Sequence, residues 1–503
     1  MKATALATLV LAAHGAAVPS ARAQEASPLS REARIEAMRE AWEIPGLAVA
    51  IVHGDSVDAQ GYGVREVGRP ERVDGRTLFA IGSTTKAFTA AAAAILVDEG
   101  RLGWDDRVVD RLPGFDLADP WVARRLTVRD LLAHRSGLPM ANLMWLTGLH
   151  DRAELIRRLR RLDSGGGFRA DLAYQNVLYA AAGSIVEEIA GVPWEAFVRG
   201  RILDPLGMDG TRTGVRGLRE VENVASPHAR VDGEIEPVPY RDIEAVGPAG
   251  SIVSSAADMA RWLQLHLAPE GRDPPVSAAA LAETHRPQIV MSGGPALTAF
   301  YPRARSLAYG MGWVVSDYQG RTLLDHGGGI DGMTALVALV PEENLGVAIL
   351  ANRQLPAPPY WILYDILDEV LGVERTDWSA RFRETVAAFS LPPDPPRLEG
   401  TTPSRPLDHY AGTYLSPPLG DAEVALDGGT LVFRLGSLAA PLEHWHLETF
   451  RAPWSDRAWR AAAGAGWITF RPGRDGEIEA LVLEAIPGET WEFHRAPVPR
   501  SAP

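Results

Sequence analysis

Ser83-Thr84-Thr85-Lys86, running into an alanine-rich apolar stretch through Val97 and closed by Gly100, is the segment from which the rest of the chain can be read. The run predicts a helix over 84–97 with Gly100 as its C-terminal cap and Ser83 at or near its start. Residues three apart on a helix share a face, so the Lys86 amine can reach the Ser83 hydroxyl. A helix start also offers free backbone N–H groups and partial positive charge, both of which favour a developing negative oxygen. The composition singles out the same lysine. Of 50 basic residues only Lys2 and Lys86 are lysine, which leaves 48 arginines. Arginine stays protonated and cannot act as a base, whereas a partly buried lysine can lose its proton near neutral pH. Ser-x-x-Lys arises by chance in many chains. A lysine kept at this one place points to a job that needs a neutral amine, namely activating the serine as a nucleophile.

A chain of 503 residues can hold two or three domains. An apolar content of 46% with 23% charged residues is that of a soluble globular protein. A net charge of −14 argues against non-specific binding to nucleic acid or anionic membrane. Residues 1–23 read as a secretory signal, with Lys2, an apolar stretch Ala5–Ala13 and Ala21-Arg22-Ala23 as the cleavage site. The expected location is therefore the periplasm or the cell exterior. Ala90–Val97 is apolar but is interrupted by Asp98 and Glu99, so no membrane insertion is expected. The absence of cysteine rules out disulfides and a lipid-modified cysteine.

Residues 24–375 alternate helical patterns with short apolar strands. Leu47–Val52 and Val57–Val64 pair across a turn at Gly54-Asp55. Thr127 with Asp130, and Ser255 with Asp258, are helix-start signals of the capping-box kind. Val177, Ala181, Ile185, Val186 and Ile189 form one apolar helical face. Residues 376–406, with Pro392-Pro393-Asp394-Pro395-Pro396, read as a linker. From 407 to 503 the pattern becomes short strands, at Tyr410–Tyr414, Ala422–Leu426, Thr430–Leu435, Trp467–Phe470, Ile478–Leu483 and Thr490–His494. They predict a small all-β domain, a barrel or sandwich.

Two further elements carry chemistry. In Tyr174-Gln175-Asn176, a tyrosine beside a lysine cation is expected to have a lowered pKa and to serve as a general base. The asparagine can orient the lysine or bind a substrate amide. Alone, Tyr-x-Asn is a weak signal and fits a half-buried tyrosine near a helix cap better. In His326-Gly327-Gly328-Gly329, glycines in a strand permit close approach of a ligand or another backbone. Alone, that run also fits a flexible turn.

Taken together and in this order, Ser83-x-x-Lys86, Tyr174-x-Asn176 and His326-x-Gly328 resemble the motif set of the penicillin-recognising serine hydrolases, which include class C β-lactamases, DD-peptidases and esterases. Ile44-Pro45-Gly46-Leu47, the stretch Leu131–Pro139, Pro205-Leu206-Gly207-Met208 and Gly247-Pro248-Ala249-Gly250-Ser251 also resemble family segments. The tail, with Tyr410–Tyr414 and His444-Trp445-His446, looks like the small β domain appended to many such hydrolases. The resemblance implies an α/β (α+β) fold: an antiparallel sheet flanked by helices, an all-α subdomain and a C-terminal barrel or lipocalin-like domain. It further implies Ser83 as acylated nucleophile, with Lys86 and Tyr174 as the base pair. Asn176, His326, Gly328 and Gly329 are implied as substrate-binding residues, and the Gly329 N–H as an oxyanion donor with that of Ser83. Class C β-lactamases carry Lys-Thr-Gly where this chain has His326-Gly327-Gly328. A neutral histidine attracts a substrate carboxylate less, which shifts weight to esters, or to peptides without a free carboxylate near the reacting bond. The partner is then a small-molecule or peptidic substrate, with β-lactamase action as the alternative. A non-catalytic ligand sensor or assembly protein on the same fold is the alternative from another class. No cofactor is implied, and the oligomeric state is not encoded.

His444 and His446 lack a third ligand, so aromatic packing is the expected role and metal is not. His134 reads as structural. Arg157–Arg161 follow Glu154 on a helix and read as a solvated face. Met140–His150 is either an apolar lid over the cleft or a loop folded into the core.

Overall fold

The computed structural model describes residues 29–165, 167–267, 274–292, 294–387 and 393–497. The expected signal segment, 1–23, lies outside the described residues. None of the described helices is long and apolar enough to cross a membrane.

The core of the first domain is an eight-stranded antiparallel sheet. Strands Gly46–His53 and Ser56–Gly63 form the expected hairpin, with Val52 opposite Val57. Gly46–His53 pairs on its other side with Leu345–Ala351 from the far end of the domain. The sheet continues through Met333–Val340, Arg321–Ile330, Val314–Tyr318, Leu307–Tyr309 and Ile289–Val290. Met333–Val340 is buried along its whole length, so alternate side chains must serve two cores. Ala335, Val337 and Leu339 join the core under the helix Thr85–Asp98, whereas Leu336, Ala338 and Val340 join an aromatic core on the opposite face.

That aromatic face is covered by helices Arg31–Ala41, Tyr360–Val370 and Trp378–Ala387. Trp42 stacks on Trp361 with ring centroids 3.6 Å apart. The helix Trp378–Ala387 corrects the reading of 376–406 as a linker throughout. Trp378 and Phe382 are four apart, so they share a helix face, and both are buried. The Trp378 indole N–H donates to Asp368 at 2.7 Å. The proline clusters dominate the composition of this span and mask the helical spacing before them.

The same face buries one acid. Asp325 is fully buried and accepts hydroxyl hydrogens from Tyr301 at 3.0 Å and Tyr360 at 2.8 Å. Burial pushes its pKa up from 3.8 to about 7, against the pull of those two hydrogen bonds. Between these values the folded chain holds a proton that the unfolded chain has released. This carboxyl therefore stabilises the fold below about pH 4, and that stabilisation is lost as pH rises to about 7, by roughly 4 kcal/mol at most. Urea titrations of the wild type and of Asp325→Asn at pH 4.5 and 7.5 should show the wild type losing more stability than the variant over that rise. Parallel losses would reject the assignment.

On the other face, helices Thr85–Asp98, Asn176–Ala190 and Ala256–Leu267 pack together with the short helices of the segment between the first and last sheet strands. The first expected capping box is present, and the second forms by half, because the Asp258 carboxylate accepts the Thr211 hydroxyl instead. Thr127 and Asp130 form a reciprocal capping box, and Ser255 Oγ accepts the Asp258 N–H at 3.2 Å. On the helix Arg152–Arg158, Glu154 pairs with both Arg157 and Arg158.

The C-terminal domain is a nine-stranded antiparallel, nearly closed barrel, running in sheet order from Leu438–Pro441 to Glu443–His446. All six strands expected from the sequence are present. Three four-residue strands, Leu438–Pro441, Glu443–His446 and Thr449–Ala452, carry too few alternations to be read in advance. A helix, Arg457–Ala463, interrupts the strands and is capped by Asp456. His444 packs edge to face on Phe450, and no metal-ligating group of three is found among the described residues. The barrel docks on the first domain. The Ser437 N–H donates to the Thr147 carbonyl at 2.8 Å, and Arg241 donates to Asp456 at 2.8 Å.

Candidate active site

The chain enters the helix Thr85–Asp98 through a 3₁₀ turn, Gly82–Thr84, so Ser83 sits at the helix start as expected. Gly82 has φ +51°, which a side chain would strain. A Cβ there would also lie 2.7 Å from the Gly329 nitrogen. From the other side, a Cβ on Gly328 would lie 1.9 Å from the Ile81 carbonyl oxygen and 3.1 Å from the Ser83 nitrogen. The helix start and the strand Arg321–Ile330 thus meet backbone to backbone, and only glycine permits it. Pairing of that strand with Val314–Tyr318 stops at Asp325. Beyond it, His326–Ile330 pair with Met333–Val337 on one side and have no strand partner on the other.

Lys86 is fully buried. Its Nζ lies 3.0 Å from Ser83 Oγ, 2.8 Å from Asn176 Oδ1 and 2.8 Å from the Ala249 carbonyl oxygen. Burial holds its pKa well below the ordinary 10.5. A neutral amine has two N–H bonds and one lone pair. Asn176 Oδ1 and the Ala249 carbonyl can each accept one of those hydrogens, an arrangement in which the lone pair of a neutral amine would face Ser83 Oγ. The neighbouring Pro248 carbonyl accepts the Thr89 hydroxyl at 2.6 Å. The sequence singled out Gly247–Ser251 only by resemblance, because a carbonyl acceptor has no residue-type signature.

Tyr174 faces the same amine, with Lys86 Nζ 4.8 Å from its ring centroid. The expectation of a lowered phenol pKa is reversed. Burial pushes it up, and a hydrogen bond with Ser83 offsets this only in part. The expectation weighed a neighbouring lysine cation and left out the cost of burying a phenolate, which is the larger influence here. Tyr174 therefore stands as a protonated hydroxyl beside Ser83. His134 packs behind it, ring centroids 4.2 Å apart, and its Nδ1 accepts the Gln175 N–H at 3.1 Å.

Asn176 opens the helix Asn176–Ala190, where Gln175 supplies the cap by accepting the Val177 N–H at 2.9 Å. Its Nδ2 donates to Asn142 Oδ1 at 3.2 Å. His326 is buried, with its pKa held down to about 3 mainly by desolvation. Its Nδ1 lies 2.6 Å from the Gly327 carbonyl oxygen, which requires the proton there. Nε2 then accepts the Tyr309 hydroxyl at 3.0 Å.

Ser83, Tyr174, Asn176, His326 and Gly327–Gly329 line a cleft of about 830 Å³. The first domain contributes Trp145, Leu146, Ile243, Met333 and Leu355 to it. The C-terminal domain adds Trp459, Ala462, Ala463, Ile486 and Pro487. Among the described residues, the one acidic or basic side chain lining it besides His326 is Asp331, which Arg241 engages. Both readings of Met140–His150 hold in part: Trp145 and Leu146 line the cleft, while Leu143 and Met144 are buried in the core. The participation of the C-terminal domain was not legible, because it is a contact between segments more than 100 residues apart in sequence.

Two family models match the chain: Beta-lactamase over residues 33–367, and a domain of unknown function (DUF3471) over 396–496. Unguisins hydrolase ungD of Aspergillus violaceofuscus is 29% identical over 499 residues, covering 90% of this chain and 86% of that one. Penicillin-binding protein 4 of Amycolatopsis lactamdurans is 30% identical over 393 residues, covering 76% and 96%. Among solved structures, the octameric penicillin-binding protein homologue from Pyrococcus abyssi superposes with a TM-score of 0.63 at 23% identity, covering 92% of this chain and 98% of that one. The class C beta lactamase from Rhodobacter sphaeroides does so with a TM-score of 0.56 at 24% identity, covering 68% and 99%. At these identities the structural likeness is one of fold.

Proposed function

The chain belongs to the beta-lactamase family of penicillin-recognising serine hydrolases, and on that premise we propose that it cleaves an ester or amide through an acyl-enzyme at Ser83. One observation carries the reading: Lys86 Nζ lies 3.0 Å from Ser83 Oγ with both its hydrogens directed to fixed acceptors. The amine takes the hydroxyl proton as Oγ adds to the carbonyl carbon. The Ser83 and Gly329 N–H groups hold the resulting oxyanion, a contribution of about 3–4 kcal/mol per donor. Tyr174, a protonated hydroxyl, passes a proton to the departing oxygen or nitrogen and is re-protonated through Lys86. Water then attacks the acyl carbon by the reverse route, releasing the acid and restoring Ser83.

The cleft also narrows the substrate. It is mostly apolar, its charged wall residue is an acid, and His326 is neutral. This favours an uncharged substrate with apolar groups over a β-lactam or a peptide with a free carboxylate at the reacting end. The unpaired edge of His326–Ile330 can align an extended amide. The relative named as an unguisins hydrolase supports hydrolysis over a sensor or assembly role. We place the reaction in the periplasm or outside the cell, on the composition of residues 1–23.

Fluorophosphonate labelling followed by peptide mapping tests this. The label is expected on the peptide carrying Ser83 and is expected to be absent in Ser83→Ala. A folded protein that takes no label, or takes it elsewhere, refutes the proposal. A panel of p-nitrophenyl esters, D-amino-acid amides and a chromogenic cephalosporin then ranks substrates, with the neutral apolar esters and amides expected first.

A further inference from the structure

The C-terminal domain does more than wall the cleft: a run of hydrogen bonds leads from it to the Lys86 amine. Glu489 opens the strand Glu489–Arg495, directly after the turn whose Ile486 and Pro487 line the cleft. Its carboxylate accepts the backbone N–H of Leu143 at 3.1 Å and that of Asn142 at 3.3 Å. The Trp491 indole N–H holds the same carboxylate at 2.9 Å. Asn142 and Leu143 begin the helix Leu143–Leu146, where the Asn142 side chain makes no cap of its own. First-turn amides need an acceptor. Here it comes from another domain, which leaves the Asn142 side chain free.

That side chain reaches the site. Asn142 Oδ1 accepts Asn176 Nδ2 at 3.2 Å, with the Trp145 indole N–H as a second donor at 3.3 Å. The Trp145 indole N–H can only donate, so it identifies that atom of Asn142 as oxygen, which in turn fixes the Asn176 amide with its nitrogen outward and its oxygen on Lys86. A flipped Asn176 would set its own N–H₂ against the amine. Lys86 would then have to spend its lone pair on that donor, and Ser83 would lose its base.

We propose that Glu489 is a positioning residue for the reaction at Ser83, acting through Asn142 and Asn176 to keep the Lys86 lone pair on the nucleophile. The inference rests on the acyl-enzyme reading above, and it makes the C-terminal domain part of the active site. None of Glu489, Asn142 or the turn before Glu489 belongs to the Ser-x-x-Lys, Tyr-x-Asn or His-x-Gly elements.

The test uses the full chain and measures single-turnover acylation of Ser83 by p-nitrophenyl acetate, whose small acyl group cannot sense the far cleft wall. Glu489→Ala is expected to slow acylation on the order of tenfold, with KM changed by less than about twofold. Glu489→Gln is isosteric, keeps one acceptor oxygen and is expected to fall between the two. It carries the test if the alanine variant does not fold. The decisive measurement is the double-variant cycle. If Glu489 acts through Asn142, Glu489→Ala combined with Asn142→Ala is no slower than Asn142→Ala alone. Acylation in the folded Glu489 variants at the wild-type rate, or losses that multiply in the double variant, overturns the proposal. Failure of the underlying reading looks different, since the wild type would then form no acyl-enzyme at Ser83.

Discussion

Lys86→Arg is expected to slow acylation of Ser83 by at least about a hundredfold, the scale of a lost general base. Arginine keeps the long aliphatic stem. It retains donors for Asn176 Oδ1 and the Ala249 carbonyl, which in the wild type lie 2.8 Å from Nζ. What it lacks is a lone pair at working pH. The burst of p-nitrophenol from an activated ester reads this rate directly, and a thermal melt reports whether the variant is folded. The pH dependence adds a second signature. The amine is active only when neutral, so wild-type acylation rises with pH through the Lys86 pKa. Burial places that rise well below the ordinary amine value of 10.5. The arginine variant should show no such rise. His326, held near 3, stays neutral above that range and adds no limb near pH 6.5. Near-normal acylation by folded Lys86→Arg would remove lysine from the mechanism.

The second large effect comes from a single methyl group. Gly328→Ala puts Cβ 1.9 Å from the Ile81 carbonyl oxygen, a distance no packed structure tolerates. The obstacle is backbone, so the helix start and the strand must part by an ångström or more. On the proposed mechanism the Ser83 and Gly329 amides then no longer converge on one oxygen. Misplacement on that scale costs on the order of a hundredfold in rate, and loss of one oxyanion donor costs about 10²–10³. Gly329→Ala is the matched control, because a Cβ there meets nothing within 4 Å. It should fold normally and keep acylating small esters, while bulkier acyl groups lose the space that the methyl fills. Comparing kcat/KM for p-nitrophenyl acetate and a longer ester in the two variants separates the cases. Equal losses at 328 and 329 would mean that the contact with Ile81 does not set the site.

Much of this site could be read before any coordinates. Ser83 and Lys86 are three apart on one helix, so local geometry alone brings them together. The strand-and-turn reading of His326–Gly329 and the helix start after Tyr174 are likewise local, and the Thr127–Asp130 box was found as expected. The phenol of Tyr174 went the other way. Its pKa depends on how completely the phenol is buried, which no local pattern encodes. The helix Trp378–Ala387 was hidden by the prolines after it, although Trp378 and Phe382 carry the helical spacing.

The chain's own order of residues therefore determined which groups can react and that they lie on one helical turn. It also determined that strands pack on helices and that a small β domain follows. Tertiary structure alone decided that the amine is buried, that the Ala249 carbonyl and the Asn176 oxygen lie within hydrogen-bond reach of it, that Trp459 of the C-terminal domain lines the cleft, and that Glu489 of the same domain holds the backbone amides of Asn142 and Leu143. The physical reason is range: helix phase and capping act over a few residues, whereas desolvation and long-distance hydrogen bonds exist only once remote segments have packed.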